Sequence, residues 1–192
     1  MLSSESHPLR PFLPSNAKVL MLGSFPPQQK RWSMEFFYPN FQNDMWRIMG
    51  LLFFADKNVF VDGKTKCFVK EDIIQFLEEA GIALYDTAEV VRRLRDNASD
   101  NFLEIVQPTD IEALLQRIPQ CEAIVTTGEK ATDEIVSQYK AEKPKIGTYT
   151  TLRIKQRVLR FYRMPSSSRA YPRALDKKVV YYHEMFKDLG MI

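Results

Sequence analysis

The chain has 192 residues, 45% of them hydrophobic, and a net charge of +3 at neutral pH. That length can bury a core without staples and points to one domain over residues 1–192. No run reaches the ~18 apolar residues of a membrane span, and the opening MLSSESHPLRPFLPSN lacks the basic start and apolar centre of a secretion signal. A monomer without membrane association, located in the cytoplasm, is expected, with residues 1–16 loosely ordered ahead of the fold.

Residue counts narrow the chemistry. The two cysteines, Cys67 and Cys121, are far apart and form no C-x-x-C motif, so a thiolate cluster has no ligand set. His7 and His183 are the two histidines, too few for a histidine-rich metal centre. No metal and no organic cofactor is expected. Neither a G-x-S-x-G elbow nor a phosphate-binding G-x-x-x-x-G-K-[ST] loop occurs.

In chain order, AKVLMLG (17–23) is a continuous apolar run ending in glycine, the pattern of a buried strand. GSFPP (23–27) then fixes a rigid turn, either a plain strand terminator or a turn that aims the N–H groups of Ser24 and Phe25 at a ligand. The segment from Phe36 to Trp46 holds five aromatic rings in eleven residues, with Asn40, Gln42 and Asn43 threaded between them. Phe36, Phe37, Tyr38 and Phe41 either build core or stack on a flat ligand. From Asn43 the apolar period becomes helical, so Asn43 is either an N-cap or a pocket residue.

Residues 55–70 read as a loop or small hairpin turning at Asp62-Gly63. KEDIIQFLEEAG (70–81) is an amphipathic helix stopped by Gly81, and IALYD (82–86) a second buried strand ending in Asp86. Asp86 either caps a helix AEVVRRLR (88–95) or faces a site. A polar passage follows around Asn97 to Asn101, and Thr109-x-x-Glu112 predicts a capping box before the helix IEALLQRI. EAIVTTG (122–128) is a third strand, and EKATDEIVSQYK a helix. TLRIKQRVLRFYRM (151–164) reads as a β pair turning near Lys155–Arg157, followed by the loop PSSSRAYPR and a last helix over 174–189.

Strands alternating with helices predict an α/β fold, with the first and last strands as neighbours in a mainly parallel sheet. Ligands in such folds sit beyond the C-terminal strand ends. That brings GSFPP, Asp86, Thr126–Gly128 and PSSSR to one rim. Between Thr151 and Lys178 the chain has nine basic residues and one acid, Asp176, either a solvated face or a surface for a polyanion. The hydroxyls of 166–168 with Arg169 and Arg173 suit phosphate oxygens, or form a plain polar loop.

LGSFPP, YPNFQNDMWRI, GIALYD and MPSSSRA occur in that order and span most of the chain. Together they resemble the motifs of the uracil-DNA glycosylase superfamily, above all its hypoxanthine-DNA glycosylase branch, whose pattern runs LGSMPS, HPRNAFWRI, GIALWD, LPSTSPA. The resemblance implies a three-layer α/β/α sandwich with a short, mainly parallel sheet. It implies a monofunctional DNA glycosylase acting on uracil or hypoxanthine flipped out of damaged DNA. In the classical uracil enzymes an aspartate or asparagine in the first turn positions the attacking water, whereas the hypoxanthine branch uses an asparagine on the following helix. Phe25 stands in that first turn, and the resemblance transfers the catalytic role to Asn43. It places Gly23, Ser24, Phe25, Pro26, Tyr38, Phe41 and Asp86 around the base. Met164, Pro165, Ser166, Ser167, Ser168, Arg169, Tyr171 and Arg173 would form the DNA-backbone and wedge loop. Met164 replaces the superfamily's histidine and Ser168 its wedge leucine, with Arg169 or Tyr171 as substitutes. Asp86 replaces a base-reading asparagine. These losses leave two alternatives standing: a DNA-damage binding module without catalysis, and an enzyme acting on free nucleosides or another small ligand.

Overall fold

The computed structural model describes residues 3–94 and 102–192. In chain order the elements are β1 (Ser4–Ser6), β2 (Val19–Gly23), α1 (Met45–Phe54), β3 (Val61–Asp62), β4 (Cys67–Phe68), α2 (Lys70–Ala80) and β5 (Ile82–Asp86). They continue with β6 (Ala88–Arg93), β7 (Leu103–Pro108), α3 (Ile111–Arg117), β8 (Ala123–Thr127), α4 (Glu129–Tyr139), β9 (Thr148–Ile154), β10 (Arg157–Met164) and α5 (Leu175–Asp188).

The central sheet has the order β5-β2-β8-β10-β9. Its first four strands run parallel, and β9 returns antiparallel as a hairpin with β10. Every residue of β2, β5 and β8 is buried, as continuous apolar strands covered on both faces should be. Helices flank the sheet, so the expected α/β architecture holds. One expectation fails: β2 and β10 are not neighbours, because β8 lies between them and pairs in parallel with both. The wholly buried β8 takes the central place, and the half-exposed β9 the edge.

The helices match their periodicity. Gly81 stops α2 at φ 69°, a conformation cheap only without a side chain. In α1, Met45, Ile48 and Met49 are buried, and Phe53 packs edge-on against Phe186 of α5 at 5.2 Å. The capping box before α3 is not formed by Thr109. Asp110 is the cap, accepting from Ala113 N–H at 3.0 Å, while the Thr109 hydroxyl donates to the Asp86 carbonyl at 2.7 Å.

Two departures reshape the region beside the site. AEVVRRLR is not a helix, since residues 88–93 form β6, the middle strand of an antiparallel sheet β1-β6-β7. Its buried residues, Ala88 and Val91, are three apart and mimic a helical repeat. The cause is a register irregularity between Ala88 and Val91, which resets the two-residue alternation of a strand. The polar passage expected around Asn97 to Asn101 lies outside the described residues. The N-terminal segment is not loose where it is described. β1 pairs with β6 through Ser4–Ser6, and Phe12 bridges to Leu84 of β5.

Candidate active site

The registry of the parallel strands sets the floor of a cavity. Gly23 lies opposite Asp86, and Thr127 opposite Met164, so these strand ends reach the same rim. A cavity of about 250 Å³ opens there. Gly23, Ser24, Phe25, Pro26, Tyr38, Asn43, Asp86, Ser166, Ser167, Ser168 and Arg169, drawn from four separate segments, all line it.

Asp86 is the charged wall. Its carboxylate is so close to Gly23 that a Cβ on that glycine would lie 2.4 Å from Oδ1. Any side chain there would push the carboxylate aside, which gives the last residue of β2 a geometric role. On the other side, Asp86 Oδ2 lies 2.8 Å from His7 Nε2, and the two side chains are 10% and 2% exposed. A carboxylate accepts, so Nε2 carries the proton. Leu9 N–H, 3.1 Å from Nδ1, donates into the other ring nitrogen, and the Leu9 carbonyl at 2.9 Å would accept a second ring proton. The imidazole packs against Tyr85 at 4.6 Å and edge-on against Phe25 at 5.2 Å. Asp86 therefore caps no helix.

Asn43 is not the N-cap of α1; that position belongs to Asp44, which makes no side-chain cap bond. Asn43 Oδ1 accepts Met45 N–H at 2.9 Å, satisfying a donor at the start of α1, and its side chain also faces the cavity. Tyr38 adopts φ 49°, uncommon for a bulky residue and a sign that the surroundings dictate its place. Its hydroxyl lies 2.9 Å from Thr127 Oγ1. Burial pushes that phenol above its ordinary value; the Thr127 hydrogen bond opposes this and the charge of Asp86 adds to it, so it stays protonated at neutral pH.

The serine loop is strapped to the start of α1. Asp44 N–H donates to the Ser167 carbonyl at 2.9 Å. Lys178 of α5, wholly buried, donates to both Asp44 Oδ2 and the Ser168 carbonyl at 2.8 Å. Arg169 stands 3.3 Å from Asp44 Oδ1, with 62% of its side chain exposed beside the cavity. Asp44 and Lys178 carried no such signal in the sequence, because a buried pair spanning 134 residues has no local pattern.

Several predicted residues lie elsewhere. Phe41 does not line the cavity; its ring packs on Phe68 at 5.2 Å beneath the Arg47 guanidinium. Met164 is buried in the core, and Pro165 accepts at its carbonyl from Tyr182 O–H at 2.9 Å. Tyr171 lies under the Lys178 ammonium, and Arg173 stacks on Tyr181 at 4.8 Å while donating to its hydroxyl. The basic run is also less available than its charge suggests. Arg157 donates to the carbonyls of Leu115, Ile118, Pro119 and Cys121. Arg160 pairs with Glu122 and Asp188, Arg163 with Glu129, and Lys155 with Glu112.

Besides His7, which stands behind Asp86, the sequence reading missed Arg93 at the cavity. Arg93 clamps Glu5 of β1 through Nε at 2.9 and 3.0 Å and donates to the Pro26 carbonyl at 2.7 Å. It thereby ties β1 and β6 to the first turn. Among the described residues, no group of three or more His, Cys, Asp or Glu side chains could hold a metal ion. No helix among them is long and apolar enough to cross a membrane.

No family model and no curated protein matches the chain. Among solved structures, the chain is similar to a candidate uracil DNA glycosylase from Methanosarcina acetivorans, determined in solution by NMR. The TM-score is 0.63 at 21% identity, covering 94% of this chain and 98% of that one. At that identity the likeness establishes a shared fold over nearly the full length of both chains.

Proposed function

We propose that the protein is a monofunctional DNA glycosylase that hydrolyses the N-glycosidic bond of a deaminated base, uracil or hypoxanthine, flipped out of DNA. The observation that carries this reading is the convergence of Asn43 and Asp86 on one cavity at the parallel strand rim. The cavity is below the roughly 300–1,000 Å³ of sites for larger ligands, a size suited to a single base. The shared fold with a candidate uracil DNA glycosylase supports the same reading.

The chemistry follows from the groups present. Glycosidic hydrolysis passes through an oxocarbenium-like sugar, and the departing base gathers negative charge. Asn43 is not a base, but Oδ1 keeps a second lone pair beyond the one engaged by Met45 N–H, and that lone pair can hold a water in line with the sugar carbon. Asp86 accepts a ring N–H of the base. Tyr38 and Thr127 hydroxyls stand at the same wall as polar partners for its edge. The loop 166–168 follows the flanking phosphates, and Arg169 reaches into the gap the base leaves. Among the described residues no lysine lines the cavity to supply a Schiff-base amine, and the product is an abasic site without strand cleavage.

A second reading, a damage-binding module without catalysis, draws support from one fact: the Asn43 oxygen is already engaged by Met45 N–H. Base release from labelled oligonucleotides containing uracil, hypoxanthine, xanthine or a G·T mismatch separates the two. Alkali-sensitive sites formed by wild type and lost in Asn43→Ala establish the glycosylase. Salt-dependent binding without release on any lesion establishes the module.

A further inference from the structure

We infer that His7 is a positioning residue for base selection: it holds Asp86 Oδ2, so that Oδ1 alone confronts the base and accepts one ring N–H. The inference rests on the reading of Asp86 as the base-reading group. It adds a residue from the far N-terminus and a rule for which bases are taken.

Three observations carry it. His7 Nε2 lies 2.8 Å from Asp86 Oδ2 with both side chains nearly sealed, so the pair is built into the fold and is not a surface ion pair. The ring is fixed from three directions, by the pairing of β1 with β6, by Leu9 N–H at Nδ1, and by the rings of Tyr85 and Phe25. The carboxylate is also pinned against Gly23, where Oδ1 occupies the space of an absent Cβ at the cavity wall. A carboxylate whose two oxygens are placed separately cannot rotate to suit the ligand.

The consequence is chemical. Deamination turns a ring nitrogen from an acceptor, as in cytosine and adenine, into the N–H of a lactam, as in uracil and hypoxanthine. A single fixed acceptor pairs with the lactam and confronts the unmodified base with two acceptors face to face. Burial makes that mismatch costly, because a desolvated polar group is left without a partner. His7 thus lets one carboxylate oxygen separate deaminated bases from their parents, whether the ring is a pyrimidine or a purine.

The test measures binding of uracil, N3-methyluracil, hypoxanthine, cytosine and adenine, each methylated at the nitrogen that bears the sugar in DNA so that no other ring N–H remains, by calorimetric titration of the full chain, for wild type, His7→Phe and His7→Gln. His7→Phe keeps a ring among Tyr85 and Phe25 but removes the donor, whereas His7→Gln restores an N–H donor near Nε2. Wild type is expected to prefer uracil and hypoxanthine at least tenfold over cytosine, adenine and N3-methyluracil. The preference should collapse in His7→Phe and return in His7→Gln, with circular dichroism showing all three folded. Equal preference in His7→Phe and wild type would overturn the inference, as would equal binding of uracil and its N3-methyl form, or no base binding at all. Base release by wild type in the oligonucleotide assay would still stand in each case, so the failure of the inference is distinct from failure of the glycosylase reading.

Discussion

Adding one methyl group at Gly23 tests the geometry of the site with little else disturbed. In Gly23→Ala the new Cβ would sit 2.4 Å from Asp86 Oδ1 and 3.6 Å from its Cγ, where ordinary contact begins near 3.4 Å. The carboxylate must retreat by about 1 Å, and a displacement of that size at a positioned group costs on the order of 100-fold in rate. Retreat also strains the 2.8 Å bond to His7, buried and hydrogen-bonded to a charged group, worth about 1.5–3 kcal/mol. Replacing glycine by alanine returns about 0.4–1 kcal/mol through the unfolded chain. The net expectation is destabilisation of about 1–2 kcal/mol. Urea unfolding beside single-turnover base release reads both effects. In an Asp86→Ala background the clash disappears, so adding Gly23→Ala should leave stability level or slightly raised. A Gly23→Ala protein with wild-type stability and release would refute the placement of the carboxylate against Gly23.

Four further outcomes follow from the same structure. Asn43→Ala should lose both base release and, with the bond from Met45 N–H, about 1 kcal/mol of stability, whereas Asn43→Ser, whose hydroxyl can accept the same N–H, should keep most of the stability and still lose release; urea midpoints and release rates compare them. Lys178→Met leaves the buried Asp44 with only the exposed Arg169 as counter-charge and should cost about 3–5 kcal/mol by chemical unfolding, much of it recovered by adding Asp44→Asn. Arg169→Ala should weaken DNA binding and lower the salt slope by about one unit, while Arg157→Ala should lower stability and leave that slope unchanged. Burial pushes the Cys121 thiol up to about 11, so at pH 8 a disulfide reagent should modify Cys67 and spare Cys121 in the native protein. Because folding raises that value, its contribution to stability is complete below the ordinary thiol range and is lost as pH climbs toward 11.

Much of the fold was legible because its buried strands are unbroken apolar runs, and because Gly81 and the amphipathic face of 70–80 mark a helix and its end. The strand 88–93 was not, since its bulge places Ala88 and Val91 three residues apart and gives a helical signature to a β ribbon. That error hid the next. With 88–93 taken as helix, residues 4–6 had no strand to pair with, and His7 stood in what looked like a loose leader. The site was visible as four motif segments meeting at strand ends, which registry guarantees. Contacts across long sequence separations, His7 with Asp86 and Lys178 with Asp44, have no periodicity to reveal them. Charge counting misled in the opposite direction: Arg157, Arg160 and Arg163 belong to the frame that holds β10 against its neighbours.

On the proposed function, the carboxylate at the end of β5 reads a deaminated base held for hydrolysis. The most direct test is single-turnover base release from saturating uracil- and hypoxanthine-containing duplexes, with wild type beside Asp86→Ala. Wild type should release the base, and release should fall at least tenfold in Asp86→Ala with DNA affinity nearly unchanged. Equal release by the two proteins, or none by wild type on either base, would contradict it.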